Sequence, residues 1–296
     1  MTQHVTRSAS GNPDRPYDEL DISSRAFWST SADVREKTFA LLRERNTPTW
    51  HPPFQDQLVD DDEDYGFWAV TTYDHLVEVT KRHEDFLSGP GILMENLPAE
   101  FVEAAQSIIG MDPPRHTKLR RLVASAFTPK QMRRIDDRIA ANASMVVDNL
   151  VAKAEAGGGS TDFVAECAEL LPMHNINDIM GVPDGQRQEA AHQMKVATSW
   201  NDPELVGEGK DAVMATLFQA MGYMHNLASS LAAERREQPT NDLITSLVQA
   251  EVDGETLTDE EIGAFFVLLT IAGNDTTRQS TSHALRALTE IGRAHV

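Results

Sequence analysis

One cysteine, Cys167, in 296 residues excludes an internal disulfide and any cysteine-cluster metal site. Basic residues are scarce as well: 26 Lys and Arg stand against 46 Asp and Glu, a net charge of −20. General nucleic-acid binding needs a basic surface to displace counterions, so that class is excluded. No apolar stretch approaches the roughly 18 residues of a membrane span; the run Gly263–Ala272 is much too short. The opening MTQHVTRSASGNPDRPYDELD contains no apolar segment of the kind a secretion signal needs, so a cytoplasmic location is expected. There is no internal repeat. What remains is a chain with 41% hydrophobic residues, long enough for one large domain or two small ones with a real core.

What is present is mostly helical spacing. Residues 1–20 set Gly11, Pro13 and Pro16 among polar neighbours and are expected to form a flexible arm. Helical spacing runs from Ala32 to Asn46, where Pro48 stops it. Thr49–His51 and Phe67–Val70 are expected strands; the acidic run at 60–64 between them reads as a solvated turn. Tyr73–Arg82 is a further helix, followed by a Gly/Pro-broken loop at 88–98. From Thr117 onward the pattern is helical almost throughout, interrupted at 156–160, 182–185, 201–204 and 252–258. The glycine run at 157–159 connects two helices rather than two domains, because apolar helical spacing resumes at once. The expected fold class is mainly α with a small β-sheet near the N-terminus.

Thr258 and Glu261 form a capping box, and the helix they open should run from about Asp259 to at least Leu288. Its middle is apolar nearly all round, which places it in the interior. Leu268, Ala272 and Thr276 are spaced by four and share one face. A buried helix gains nothing from the neighbouring Gly273, Asp275 and Thr276 of AGNDTTRQ (272–279), and Gly273 costs about 1 kcal/mol relative to Ala. One explanation needs no chemistry: Thr276 bonds back to the Ala272 carbonyl, and Asp275 caps or pairs with Arg278.

A second constellation lies in MDPPRHTKLRRLVASAFTP, residues 111–129. Pro114 stands near the first turn of a helix. His116 and Arg120, four apart, share a face from which both can donate to an anion. An exposed basic helix would carry the same residues. Together, however, D-P-P-x-H-x-x-x-R, the following F-T-P and A-G-x-D-T-T occur in the order and spacing of the bacterial cytochrome P-450 family. The chain resembles that family over about residues 20–290, and FWAVTTYDHLVEV looks like its entry region.

The resemblance implies a cytochrome P-450 fold and a role for each residue. His116 and Arg120 would bond the propionates of haem b, the iron cofactor. Ala272 and Gly273 would lie where the central helix bulges beside iron, leaving room for dioxygen. Thr276 and Asp275 would be the alcohol and acid of a proton relay, since splitting dioxygen requires two protons. Leu268, Ile271 and Ala272 would face substrate, with 89–98 and 194–200 completing an apolar pocket. Eleven Met residues suit an adaptable lining, though core filling explains them equally well. Between Arg115 and Arg138, eight basic and two acidic residues give a net of +6. The resemblance makes this a docking face for a ferredoxin or flavodoxin-type redox partner; surface arginines without a partner are the plain alternative.

The sequence also departs from the family. The iron there is held by a Cys thiolate in a glycine-rich loop, which has no counterpart here, so no metal ligand is assigned and the fold is expected to be incomplete at the C-terminus. Cys167, within FVAECAELL, reads as a small buried side chain. Glu290–Arg293 spells the family's E-x-x-R, but a whole helix too early. EIGRAHV back-translates to a string resembling sequencing-adapter sequence. Residues 291–296 are therefore expected to be read-through, leaving 21–290 as a partial P-450 domain. The expected function is that of a monooxygenase hydroxylating an apolar small molecule with O2 and a partner's electrons, lipids and steroids being the first candidates. This chain alone is expected to be inactive, with Phe265, Phe266 and Leu269 left uncovered on one side. The competing reading is a cofactor-free, acidic, helical binding protein.

Overall fold

Asp21 starts the first described helix: its carboxylate accepts from the amides of Ser23 and Ser24 at 2.9 and 3.0 Å, and the Ser24 hydroxyl accepts from Phe27 N at 3.0 Å. These bonds open α1 (Arg25–Trp28). The computed structural model describes residues 14–57, 59, 64–94, 107–127, 129–199 and 202–293. Most of the acidic run, most of the expected pocket loop, Trp200 and the last three residues lie outside them. The chain divides into two units, Met1–His116 and Thr117–Val296.

In the first unit α2 (Ala32–Glu44) ends just before Asn46, which takes a positive φ of 49° ahead of Pro48. β1 (Thr49–His51) and β2 (Phe67–Ala69) pair antiparallel, with Thr49 opposite Ala69 and His51 opposite Phe67. Gly66 enters β2 at φ 127°; a Cβ there would lie 2.1 Å from the His51 carbonyl oxygen, so only glycine fits. Ile22, Phe27, Leu42 and Ala69 form the core beneath this hairpin. The arm expected over 1–20 is anchored in its described part. The Arg15 guanidinium lies 4.6 Å over the Trp68 ring, and Asp18 N donates to Trp50 O at 2.7 Å. α3 (Tyr73–Lys81) follows, and Asp112 ties down the next loop by accepting from Ser88 N and Gly89 N at 2.9 and 2.8 Å.

The second unit is helical apart from one small hairpin among the described residues. Its elements are α4 (Arg115–Ala126, which begins just before the division), α5 (Pro129–Ala156), α6 (Leu170–Met180) and α7 (Asp184–Thr198). They continue with α8 (Pro203–Val206), α9 (Lys210–Glu237), α10 (Leu243–Val248) and α11 (Asp259–Arg293). A π-helical turn, Val164–Ala168, leads into α6. β3 (Glu251–Val252) and β4 (Glu255–Thr256) are joined by Asp253 and Gly254, both at positive φ, the arrangement of a type I′ turn. α11 packs against α9, α6 and α7, and α9 also packs against α7 and α10. Among the described residues no helix is long and apolar enough to cross a membrane.

A buried ion pair joins three of these helices. Arg235 Nε donates to Asp242 Oδ2 at 2.5 Å, with side chains 8% and 5% exposed. Arg235 Nη2 also donates to the Gly181 carbonyl at 3.2 Å, which ends α6. Asp242 accepts from Thr240 Oγ1 at 2.6 Å and Thr245 N at 2.8 Å, capping α10. Gly181, at φ 72°, makes room: a Cβ there would stand 2.1 Å from Asp242 Oδ2. Burial pushes the Asp242 carboxyl up, but the bonds from Thr240, Arg235 and Thr245 outweigh it and hold the group below its ordinary 3.8.

A depressed carboxyl stabilises the fold above its unfolded pKa, and the contribution is lost as pH falls through the folded value. Unfolding followed by circular dichroism should therefore show the second unit weakening below about pH 4. Asp242→Asn leaves the buried Arg235 with only the more exposed Glu234 carboxylate, 2.7 Å from Nη1, and should cost about 1–3 kcal/mol at neutral pH while flattening that acid limb. An unfolding midpoint equal to wild type would remove the node from the fold's support.

Candidate active site

α11 is opened by the box expected from sequence: Thr258 N donates to Glu261 Oε2 at 3.0 Å, and Glu261 N donates to Thr258 Oγ1 at 3.2 Å. Ile262, Gly263, Ala264, Phe266, Val267 and Thr270 are buried. Phe266 is 1% exposed, so it belongs to the covered side and not to the open one where it was expected. Phe265 and Leu269 are half-buried, and Phe265 meets Phe127 edge-on at 6.0 Å. The open side carries the i, i+4 stripe: Leu268 half-buried, then Ala272 and Thr276 exposed, with Ile271 half-buried beside it.

The sequence-predicted trio is brought together on this helix but not as a hydrogen-bonded set. Thr276 Oγ1 donates to the Ala272 carbonyl at 2.7 Å, and Arg278 Nη2 donates to Asp275 Oδ1 at 2.6 Å. These are the local bonds of the explanation that needs no chemistry. The helix is α throughout, without the expected bulge at Ala272–Gly273. Its carbonyls keep their ladder bonds while the hydroxyls of Thr276 and Thr277 add second donors at 2.7 and 2.8 Å. Gly273 turns toward α6: a Cβ there would lie 2.7 Å from Ile176 Cδ1. Its small size is used for that close approach. Sequence reasoning passed over Asn274, 4% exposed, whose Nδ2 donates to Met194 Sδ at 2.9 Å.

On α4, Leu119, Leu122, Val123 and Ala126 are buried, leaving the basic side chains to divide between two directions. Lys118 and Arg121 pair with Glu255 and Asp253 of the β3–β4 hairpin at 3.0 and 2.9 Å. His116, half-buried, and Arg120, exposed, lie one turn apart, and neither side chain has a polar partner among the described residues. Cys167 sits in the π-helical turn, 7% exposed, and burial pushes its thiol up, away from thiolate chemistry. Of the expected pocket segments, Ile92, Leu93 and Met94 are exposed in the first unit, while Met194 is buried in the second.

Residues 64–290 match the cytochrome P450 family. The chain is 34% identical over 276 residues to the methyl-branched lipid omega-hydroxylase of Mycobacterium tuberculosis, covering 93% of this chain and 62% of that protein. It is 33% identical over 232 residues to the steroid C26-monooxygenase of Mycolicibacterium smegmatis, covering 77% and 52%. The chain thus spans less than two thirds of the length of these relatives. Among solved structures, Mycobacterium marinum cytochrome P450 CYP268A2 in complex with pseudoionone superposes with a TM-score of 0.83 at 50% identity, over 94% of this chain and 66% of that one. CYP109E1 from Bacillus megaterium in complex with testosterone gives 0.65 at 27%, over 87% and 60%.

The approach at Gly273 has a measurable consequence. Gly273→Ala gains about 1 kcal/mol of helix propensity but sets a methyl against Ile176, so stability should change little. Gly273→Val overpacks the crossing and should cost about 1–3 kcal/mol in denaturant unfolding. A Val variant as stable as wild type would show that α6 does not press on α11 at this point.

Proposed function

Because this chain belongs to the cytochrome P450 family, we propose that it supplies the cofactor clamp and proton relay of a haem-dependent monooxygenase. The whole protein would hydroxylate an apolar lipid or steroid-like molecule with O2. The observation that carries the reading is the pair of N–H donors on α4, without side-chain partners among the described residues, together with the open Leu268–Ala272–Thr276 stripe on α11. Haem b is a flat apolar ring with two carboxylate arms. The donor set on α4 fits the carboxylates, and the stripe fits an apolar surface with one hydroxyl at its end.

When bound, haem would supply the iron at which dioxygen is reduced and split. His116 and Arg120 would donate to the propionates, each charge-assisted bond contributing about 1.5–3 kcal/mol. Ala272 presents only a methyl and leaves space beside it. Thr276 Oγ1 would pass its proton inward and take another from the Asp275 carboxyl, which reloads from water. In that exchange Thr276 leaves the Ala272 carbonyl and Asp275 loosens from Arg278. Leu268 and Ile271 would offer substrate an apolar wall. The substrate class rests on the names of the lipid and steroid oxygenases that this chain is similar to. The basic stretch from Arg115 to Arg138 suits an acidic ferredoxin or flavodoxin-type electron donor, although Lys118 and Arg121 are already engaged by the hairpin. Cys167 does not fit as the iron's thiolate, so residues 1–290 by themselves are proposed to be inactive.

The local bonds of Thr276 and Asp275 favour the competing reading of a cofactor-free binding protein, and haem retention separates the two. In the whole protein, His116→Ala with Arg120→Ala should lower haem content after purification, whereas full occupancy in the double variant would sink the clamp. Residues 1–290 mixed with haem, reduced and exposed to carbon monoxide should give no red-shifted thiolate-type Soret band; such a band would reassign Cys167.

The relay has its own readout. Thr276→Ala in the whole protein should leave substrate binding intact while product falls by about 100-fold or more, with electrons appearing as peroxide instead. Unchanged product per electron would remove Thr276 from the relay.

A further inference from the structure

Asn274 has no part in the clamp or the relay as described, yet it is the most buried polar residue of its stretch, 4% exposed on the side of α11 turned to α7. A carboxamide there lowers helix propensity and needs partners for two N–H donors and a carbonyl oxygen. One N–H reaches Met194 Sδ, a weak acceptor, and Oδ1 has no partner among the described residues. Packing alone would favour Leu or Met, which need no polar partners. Beside the amide, between α7 and α11, lies a small cavity of about 20 Å³, half open to solvent and lined by Asn274, Asp275, Arg278, Thr198, Lys195 and Glu169, with Met194 at its wall. That volume holds a single water, provided two to four polar groups face it. Asp275 Oδ1 is taken by Arg278, and Oδ2 has no partner among the described residues. Lys195 and Glu169, 3.4 Å apart and partly exposed, stand at the solvent side.

We infer that Asn274 holds one ordered water in this cavity against the Asp275 carboxylate, acting as a positioning residue for the acid of the relay. The inference rests on the relay proposed above. The water gives one proton to the carboxylate and takes one from solvent beside Lys195 and Glu169, so it ends as neutral water and Asp275 ends protonated, to be discharged when that proton passes to Thr276. With the open stripe of α11 covered by cofactor and substrate, this cavity is the aqueous approach to Asp275.

The experiment uses the whole haem-loaded protein as wild type, Asn274→Leu, Asn274→Ala and Asp275→Asn. Crystals diffracting well enough to show ordered water should reveal one within hydrogen-bond reach of Asn274 Oδ1 in wild type and none in Asn274→Leu. The Leu variant should keep its haem and its substrate-induced spectral shift, while turnover falls about tenfold, as for loss of a supporting hydrogen-bond partner, and the solvent isotope effect rises. Asn274→Ala removes the amide without filling the space and should show the same direction if the Leu variant does not fold. An empty cavity in wild type overturns the inference. So does wild-type turnover in both Asn274 variants beside a slow Asp275→Asn, a result that leaves the relay standing. If Asp275→Asn is itself unimpaired, the relay falls and the inference falls with it.

Discussion

Two close approaches determine where α11 lies, and the second unit is arranged around them. At Gly263 a Cβ would stand 2.5 Å from His225 Nδ1 of α9, and at Gly273 it would stand 2.7 Å from Ile176 Cδ1 of α6. Helices come this near only where one of them presents no side chain. Burial lowers the His225 pKa and favours the neutral ring, which suits an imidazole pressed on a backbone. With α9 and α6 seated on these points, Phe266 and Val267 are covered, while Ala272 and Thr276 are left open. The exposed stripe is therefore a result of where the glycines lie as much as of which residues occupy it.

Charge follows a similar economy in a chain with a net of −20. The deepest ion pair, Arg235 with Asp242, ties the ends of α6, α9 and α10, where loose helix termini would otherwise leave carbonyls and amides unsatisfied. On α4 the acidic hairpin takes Lys118 and Arg121, which anchors one face of the helix and leaves His116 and Arg120 for another task. These pairs are exposed and individually weak; their use is in orienting a helix rather than in holding the fold.

Local signals were legible in the sequence, and long-range ones were not. The capping box at Thr258, the strands at Thr49 and Phe67, and the shared face of His116 and Arg120 all depend on residues within one turn or one alternation. The β3–β4 hairpin has strands of two residues, too short for any period, so only the Asp253–Gly254 turn could have marked it. Residues 15–20 read as loose because their polar composition says nothing of the Trp68 ring on which Arg15 rests. The π-helical turn around Cys167 has no compositional mark. The close approach of Ile176 to Gly273 joins two helices far apart in the chain, and no local pattern marks it. Asn274 was passed over because its meaning depends on Met194, distant in sequence and on another helix.

Hydroxyl back-bonds recur along α11, at Thr270, Thr276, Thr277, Ser282 and Thr289, each to the carbonyl four residues earlier. Only at 276 and 277 do they fall on successive carbonyls, those of Ala272 and the side-chain-free Gly273. A carbonyl with a second donor loses less when its ladder bond stretches, and such residues tend to bend helices. In mechanical terms α11 is a beam with one compliant section, stiff where α9 crosses it and soft around Ala272. A load applied at either end, by a neighbouring element settling or a bound molecule pushing, would concentrate its curvature there.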